Sequence, residues 1–219
     1  NEAILNNTIL VDNGAVLNVQ GGGYTLRAND NVTNNGTITG SGSTFRFFGS
    51  VFTNNGFVLP SNFYFEGIIF SPGSVHTIQG TGGFTTSNCQ IREGSNVILG
   101  SDHQFLYLAV NTGSVFNLNA KVLKLNGAGT PISVAGAILT EGSTIEYNGT
   151  ANQNFPQANI NYANVRINDS AGVTLTDNIT IPGLIQVLKG DLNLNGRVIT
   201  LTATGSLTET PGNTITGNS

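Results

Sequence analysis

The chain has 219 residues, and 20 of them are charged: 8 Lys or Arg and 12 Asp or Glu, for a net charge of −4. That is 9% charged, far below the roughly 25% usual for soluble domains; Asn (30), Gly (29) and Thr (26) fill the space instead. This balance excludes a helical bundle, which needs Ala, Glu, Lys, Leu and Arg in bulk, a nucleic-acid binder, which needs a basic face, and a membrane-inserted helix, which needs about 18 consecutive apolar residues.

Disorder is excluded as well, because it requires low hydrophobicity and high net charge. The chain opens Asn1-Glu2-Ala3, without an initiator Met or a signal peptide, and reads as a mature or excised segment.

Along the chain one small motif returns: Gly, often a second small residue, then apolar-polar-apolar. It begins at Gly14 (GAVLNV) and recurs at Gly36, Gly56, Gly73, Gly94, Gly113, Gly136, Gly172, Gly190 and Gly205. The first seven are 22, 20, 17, 21, 19 and 23 residues apart, and the later gaps are 36, 18 and 15. A fixed period of this size is the mark of a solenoid. The reading is therefore all-β: one parallel β-helix over residues 1–219, about 20 residues per coil and ten to eleven coils. The long gap is expected to hold an extra turn between Gly142 and Ile160. Strands are short, alternate with period two as in Val115-Phe116-Asn117-Leu118, and stop at Gly, Asn or Ser. Asn-Gly pairs at 13–14, 35–36, 55–56, 126–127, 148–149 and 195–196 suit positive φ and read as coil corners. In an antiparallel protein the same pairs would close hairpins; their recurrence near the coil period favours the solenoid.

A longer repeat is superposed. Residues 36–49 align without gaps to 136–149 with six of fourteen positions identical, and similarity continues so that 36–100 and 136–196 read as an internal duplication of about 100 residues.

Eleven of the twelve Phe lie between Phe45 and Phe116. Two readings compete: a wide aromatic core in the middle coils, or an exposed strip that stacks on sugars. Alternation sets Phe63 and Phe65 on one face and Tyr64 and Glu66 on the other, with Arg46 opposite Phe45 and Phe47. If a glycan contact exists, Arg46, Tyr64 and Glu66 are its residues.

Chemistry-bearing patterns are sparse. Lone Cys89 gives no disulfide framework or CxxC metal pair and reads as a small buried hydrophobe. Polysaccharide-cleaving β-helices need clustered carboxylates. Here no two acids are adjacent, and the Glu141/Glu146 pair includes a Glu146 expected to face solvent. Asp102-His103 resembles a dyad, but neighbours on a strand point opposite ways, and His76 and His103 are expected at the surface. The Gly-rich runs at 21–23 and 80–83 lack the Lys of a phosphate loop. Thr-x-Thr pairs at 37–39, 174–176, 200–202 and 202–204 raise ice binding, but their spacing is too irregular for a flat array. No catalytic, metal or cofactor residues are assigned.

At the C-terminal end, Thr208-Glu209-Thr210-Pro211-Gly212-Asn213 ends as though another coil should follow, and no amphipathic cap is visible at either end. Stacked strands expose pairing edges unless capped. The expectation is a segment joined to further coils, or to other copies of itself end to end.

The stretch 143–209 contains Tyr147-Asn148-Gly149, Pro156, Tyr162-Ala163-Asn164-Val165, Gly172-Val173-Thr174-Leu175 and the coil from Gly190 to Gly196. It resembles the β-helical repeat regions of large secreted surface proteins of the Bacteroidota, many of which leave by the type IX route. The resemblance covers about a third of the chain, with a weaker echo at 36–100. It implies a β-helix at the cell surface, adhesin-like and without catalytic residues. Asp169-Ser170-Ala171 also resembles the short O-glycosylation motif of such proteins. The expected function is that of an extracellular, non-catalytic stalk or filament block. A polysaccharide-binding or polysaccharide-cleaving module is the alternative, and an ice-binding solenoid a minor one.

Overall fold

The computed structural model describes residues 1–19, 22–60, 62–66, 74–86, 88–92, 94–156 and 159–217, with the backbone alone at 65 and 66. The chain is an all-β solenoid of parallel strands, about 21 residues per turn. Each regular turn lays one short strand on each of three faces. In the first turn these are Glu2–Leu5, Ile9–Val11 and Val16–Asn18. The first face is a seven-stranded sheet from Glu2–Leu5 to Ile132–Val134, and the second runs from Ile9–Val11 to Ala137–Leu139, also seven strands. The third has ten strands, from Val16–Asn18 to Ser206–Glu209. Nine turns separate its two outermost strands, with partial turns beyond them.

The alternation read from sequence decides which side chains point inward. In-register columns run along the inside: Leu26, Phe45, Phe63, Cys89, Leu108 and Ile132 on the first face. On the third, Ile38, Val58, Phe84, Phe105, Leu125, Tyr147 and Ile167 do the same. All of these are buried. The middle turns are wide enough for rings. Phe45 and Phe63 stack at 5.1 Å, Phe84 and Phe105 stack at 4.9 Å, and Phe52 meets Phe63 edge-on at 5.2 Å. The aromatic-core reading is thus the one observed; Phe45, Phe47, Phe52, Phe63, Phe84, Phe105 and Phe116 form no exposed strip.

Nine of the ten motif glycines lie in the connections between strands; Gly73 lies outside the described residues. They are of two physical kinds. At Gly94 the backbone is left-handed, φ 72°. At Gly56 φ is ordinary, but a Cβ would lie 1.9 Å from the Gly36 carbonyl oxygen of the preceding turn, so this corner closes only without a side chain. Beside it, Asn34 and Asn54 are fully buried. Asn34 Nδ2 donates to Asn54 Oδ1 at 2.9 Å and Asn54 Nδ2 to the Gly83 carbonyl at 3.3 Å, a ladder that satisfies corner groups turn by turn.

The aligned segments 36–49 and 136–149 share one local form, strand-turn-strand, with Gly42 at φ 67° and Gly142 at φ 68°. They occupy different faces: Thr37–Thr39 and Thr44–Phe47 lie on the third and first, Ala137–Leu139 and Thr144–Tyr147 on the second and third.

The long glycine gap does hold an additional turn, and it is irregular. Gln153–Phe155 bridges to Gly129 instead of pairing with Ile132–Val134. It starts a new four-stranded sheet with Val173–Leu175, Leu192–Asn193 and Ile215–Thr216. The second face is likewise interrupted and resumes as Ile179–Ile181 with Ile199–Leu201. Only the third face crosses this fault unbroken, through Thr144–Tyr147 and Asn164–Asn168.

Candidate functional site

Arg46 and Tyr64, singled out from the sequence, fall on the outward side of the first face. Arg46 and Tyr64 are in-register partners on adjacent strands, and Arg27 is the partner of Arg46 on the other side. The backbone of Glu66 is paired with Arg92, and its side chain lies outside the described residues. The aromatic rings here serve as platforms for guanidinium groups. Arg27 lies 4.1 Å and Arg46 5.2 Å from the Phe48 centroid, and Arg92 lies 4.5 Å from that of Tyr64. Arg46 also pairs with Glu2 at 3.4 Å. Amides fill the strip alongside: Asn88 donates to Asn62 at 2.8 Å, and Gln90 to Asn88 at 2.7 Å. Arg27, Phe48 and Arg92 were not singled out from sequence. The signal was available, since Arg27 and Arg46 each sit between inward apolar residues at matching places one coil apart.

Two expectations about titratable groups are corrected. Both histidines are buried rather than at the surface. His103 precedes Phe105 by two, shares its inward orientation and lies 6.0 Å from the Phe84 ring. Its Nδ1 is 3.3 Å from Ser101 Oγ, while Nε2 has no hydrogen-bond partner among the described residues. Desolvation holds its pKa below the usual imidazole value, against the opposing effect of hydrogen bonds to the Ser101 and Asp102 backbone. Asp102 points away and accepts the Val122 amide at 2.9 Å, so the two adjacent residues form no dyad. A cleft of about 370 Å³ lined by Gly80, Asp102, Gln104 and Lys124 lies over this corner.

Glu146 is also buried. It points outward from its strand, but Arg166 of the next turn covers it with an ion pair at 2.8 Å, and Asn168 donates to its Oε1 at 3.2 Å. Asp169 is buried too, with Oδ1 accepting the Ala171 amide, while Ser170 is exposed in the turn. Desolvation raises the Asp169 pKa. Cys89 is buried in the inward column, as expected, and burial pushes its thiol far above its ordinary pKa, so it is not a thiolate nucleophile in the folded chain. Among the described residues, no three His, Cys, Asp or Glu side chains come together. The Thr-x-Thr pairs at 37–39, 174–176 and 200–202 fall on three different sheets.

Three residues of the 143–209 stretch meet at the fault. Tyr147 Oη and Tyr162 Oη are 2.9 Å apart, and Tyr162 donates to the Pro156 carbonyl. The Phe155 ring packs against both, with centroids at 5.1 and 4.8 Å. Gln153 ties the same turn down, with Nε2 donating to the Leu125 and Gly127 carbonyls at 2.9 and 2.5 Å.

No known protein family matches the chain, and no curated protein or solved structure is significantly similar to it. Fold and surface together define a parallel β-solenoid with an aromatic interior and a group of ring-stacked arginines on its first face.

Proposed function

We propose that the chain is a non-catalytic structural block of an extracellular cell-surface protein, a stiff stalk or filament segment of adhesin type. Its neighbours in the stack are further coils of the same polypeptide or other copies joined end to end. One observation carries this reading: both ends of the stack leave apolar rungs uncovered. At one end Leu5, in register with the inward Ala28, is 38% exposed. At the other, Leu201 and Leu207, in register with the inward Ile181 and Ile185, are 37% and 43% exposed and border an apolar hollow of about 340 Å³ with Leu194, Val198 and Ile215. In a solenoid each turn buries its inward residues against the next, so such a surface fits another parallel rung. The low surface charge and the resemblance to Bacteroidota surface proteins support the location and role.

Negative-stain electron microscopy over a concentration series tests the proposal. The expected particles are straight rods of at least roughly 45 Å, from about nine turns at about 4.8 Å each. Concentration-dependent fibres identify stacking copies, and isolated rods identify a segment of one long polypeptide. Compact or flexible particles at every concentration would overturn the stalk reading.

A further inference from the structure

We propose that Asn13, and after it Asn195, are sites of spontaneous backbone-assisted deamidation, which turns each asparagine into aspartate or isoaspartate while the chain stays folded. This does not rest on the stalk reading. Asparagine followed by glycine is the pair most open to the reaction, because glycine carries no side chain to hinder its amide nitrogen. The chain has six such pairs, at 13–14, 35–36, 55–56, 126–127, 148–149 and 195–196, and the fold divides them into two classes. Four are packed between turns. A Cβ at Gly36, Gly56, Gly127 or Gly149 would lie 2.2, 1.9, 2.1 or 2.5 Å from an oxygen of a neighbouring segment. Their asparagine side chains are rungs of hydrogen-bonded ladders: Asn55 Nδ2 donates to Asn35 Oδ1 at 2.9 Å, Asn148 Nδ2 to Asn126 Oδ1 at 3.1 Å and Asn168 Nδ2 to Asn148 Oδ1 at 2.7 Å. Three of the glycine amides are committed as well. Gly36 N–H donates to Asn34 Oδ1 at 3.2 Å, Gly56 N–H to the Asn34 carbonyl at 3.1 Å and Gly149 N–H to Gln153 Oε1 at 3.2 Å.

The pairs at 13–14 and 195–196 are open. A Cβ at Gly14 or Gly196 would meet nothing within 4 Å, and both corners are exposed. Both glycines are left-handed, at φ 77° and 70°. Each sits in a turn closed by one bond, Ala15 N–H to the Asp12 carbonyl at 2.9 Å and Arg197 N–H to the Leu194 carbonyl at 2.8 Å. Among the described residues neither glycine amide has an acceptor, and the Asn13 side chain has no hydrogen-bond partner. The Asn195 side chain is held by one contact, Nδ2 to the Leu175 carbonyl at 3.5 Å, a length at which a hydrogen bond is weak, so it ranks second.

The reaction needs no co-reactant but water. The Gly14 amide nitrogen loses its proton to solvent base and attacks Asn13 Cγ. The new N–Cγ bond closes a succinimide ring, the Cγ–Nδ2 bond breaks, and ammonia leaves with a proton taken from water. Water then opens the ring. Attack at Cγ restores the ordinary backbone as aspartate, and attack at the Asn13 backbone carbonyl routes the chain through the side chain as isoaspartate. Either way a neutral carboxamide becomes a carboxylate, so conversion at both corners takes the net charge from −4 to −6. In the packed pairs the same approach of nitrogen to Cγ requires ladder bonds to open first, and each bond that must open slows it.

The test is incubation of the intact chain in oxygen-18 water at mildly alkaline pH, sampled by peptide mapping with mass spectrometry, beside a parallel incubation in guanidinium chloride. In the folded chain Asn13 should convert first and Asn195 next, each at least about tenfold faster than the four packed pairs, with one heavy oxygen entering per site. The rate should rise with pH, because the attacking nitrogen must lose its proton. In denaturant the six pairs should converge on similar rates. Asn13→Gln should abolish the first event and leave the rate at Asn195 unchanged, with far-UV spectra establishing that the variant is folded; if it is not, N195Q supplies the same comparison in reverse. The proposal is overturned if a packed pair reacts as fast as Asn13 in the folded chain. It is overturned equally if the order of the six is the same with and without denaturant, or if Asn13 survives in the folded chain over the time that converts it in the unfolded one.

Discussion

Burial of the His103 ring beside Phe84 and the inward aliphatic column disfavours its charged form in the folded chain, and Nε2 has no partner among the described residues. Its folded pKa is depressed, so below the unfolded value of about 6.5 the unfolded chain takes up a proton that the folded chain resists. Stability is therefore unaffected by this group above about pH 7, and falls as pH drops through and below about 6.5. H103L keeps an apolar volume beside Leu123, its ladder partner. The difference in urea midpoint between wild type and H103L should be flat above neutrality and shift in favour of H103L on acidification; a constant difference from pH 7.5 to 5 would refute it. The two glycine kinds give a second contrast. Gly56→Ala forces a Cβ into the Gly36 carbonyl and should cost about 3 kcal/mol by overpacking. Gly14→Ala, at φ 77° with nothing within 4 Å, should cost only about 1 kcal/mol of left-handed strain. Chemical denaturation of the two variants measures the order.

Strands are short, often three or four residues, and none is stable alone; the ladder between turns makes them elements. The alternation of Thr44-Phe45-Arg46-Phe47 told which side chains enter the core, and the same rule applied to His103 and Phe105 would have placed His103 inside. It failed for Glu146 because burial there comes from the next turn. Arg166 is twenty residues on and reaches back over an outward carboxylate, and such rung-to-rung register leaves no local trace in sequence. The irregular turn is hidden for the same reason: Gly129 meets Gln153 through a slip that no period reveals. Removing the cover should expose the dependence. Arg166→Ala leaves Glu146 largely desolvated without its ion-pair partner. Because Arg166 itself is one-third exposed, the loss should be about 2 kcal/mol, less than for a fully buried pair. E146Q/R166A should recover part of this in a double-mutant cycle; a double-variant loss equal to the sum of the two single losses would show that the pair has no role.

At the scale of the molecule, stability is close to a sum over neighbouring turns, and the end turns have a neighbour on one side only. Burial falls off accordingly: the described strand Glu2–Leu5 is exposed throughout, as is Ser206–Glu209, while most described strands between Thr25 and Lys189 bury alternate residues. The inward but exposed Leu5 at one end and Leu201 and Leu207 at the other are the surfaces that association would cover. An isolated rung edge also exposes unpaired N–H and C=O groups, so apolar burial and ladder hydrogen bonds act together when a further rung docks. A charge placed on that surface opposes both. L5K at one end and L207D at the other should each lower the association state seen by sedimentation velocity at high protein concentration, with little change in melting temperature, because both side chains are already partly exposed in the single chain. Mixing the two variants then separates head-to-tail from symmetric contact. Head-to-tail stacking leaves one productive interface, between the intact end of each, so the mixture forms dimers and stops there. Symmetric end-to-end contact lets each variant dimerise alone through its unmodified end, and mixing adds nothing.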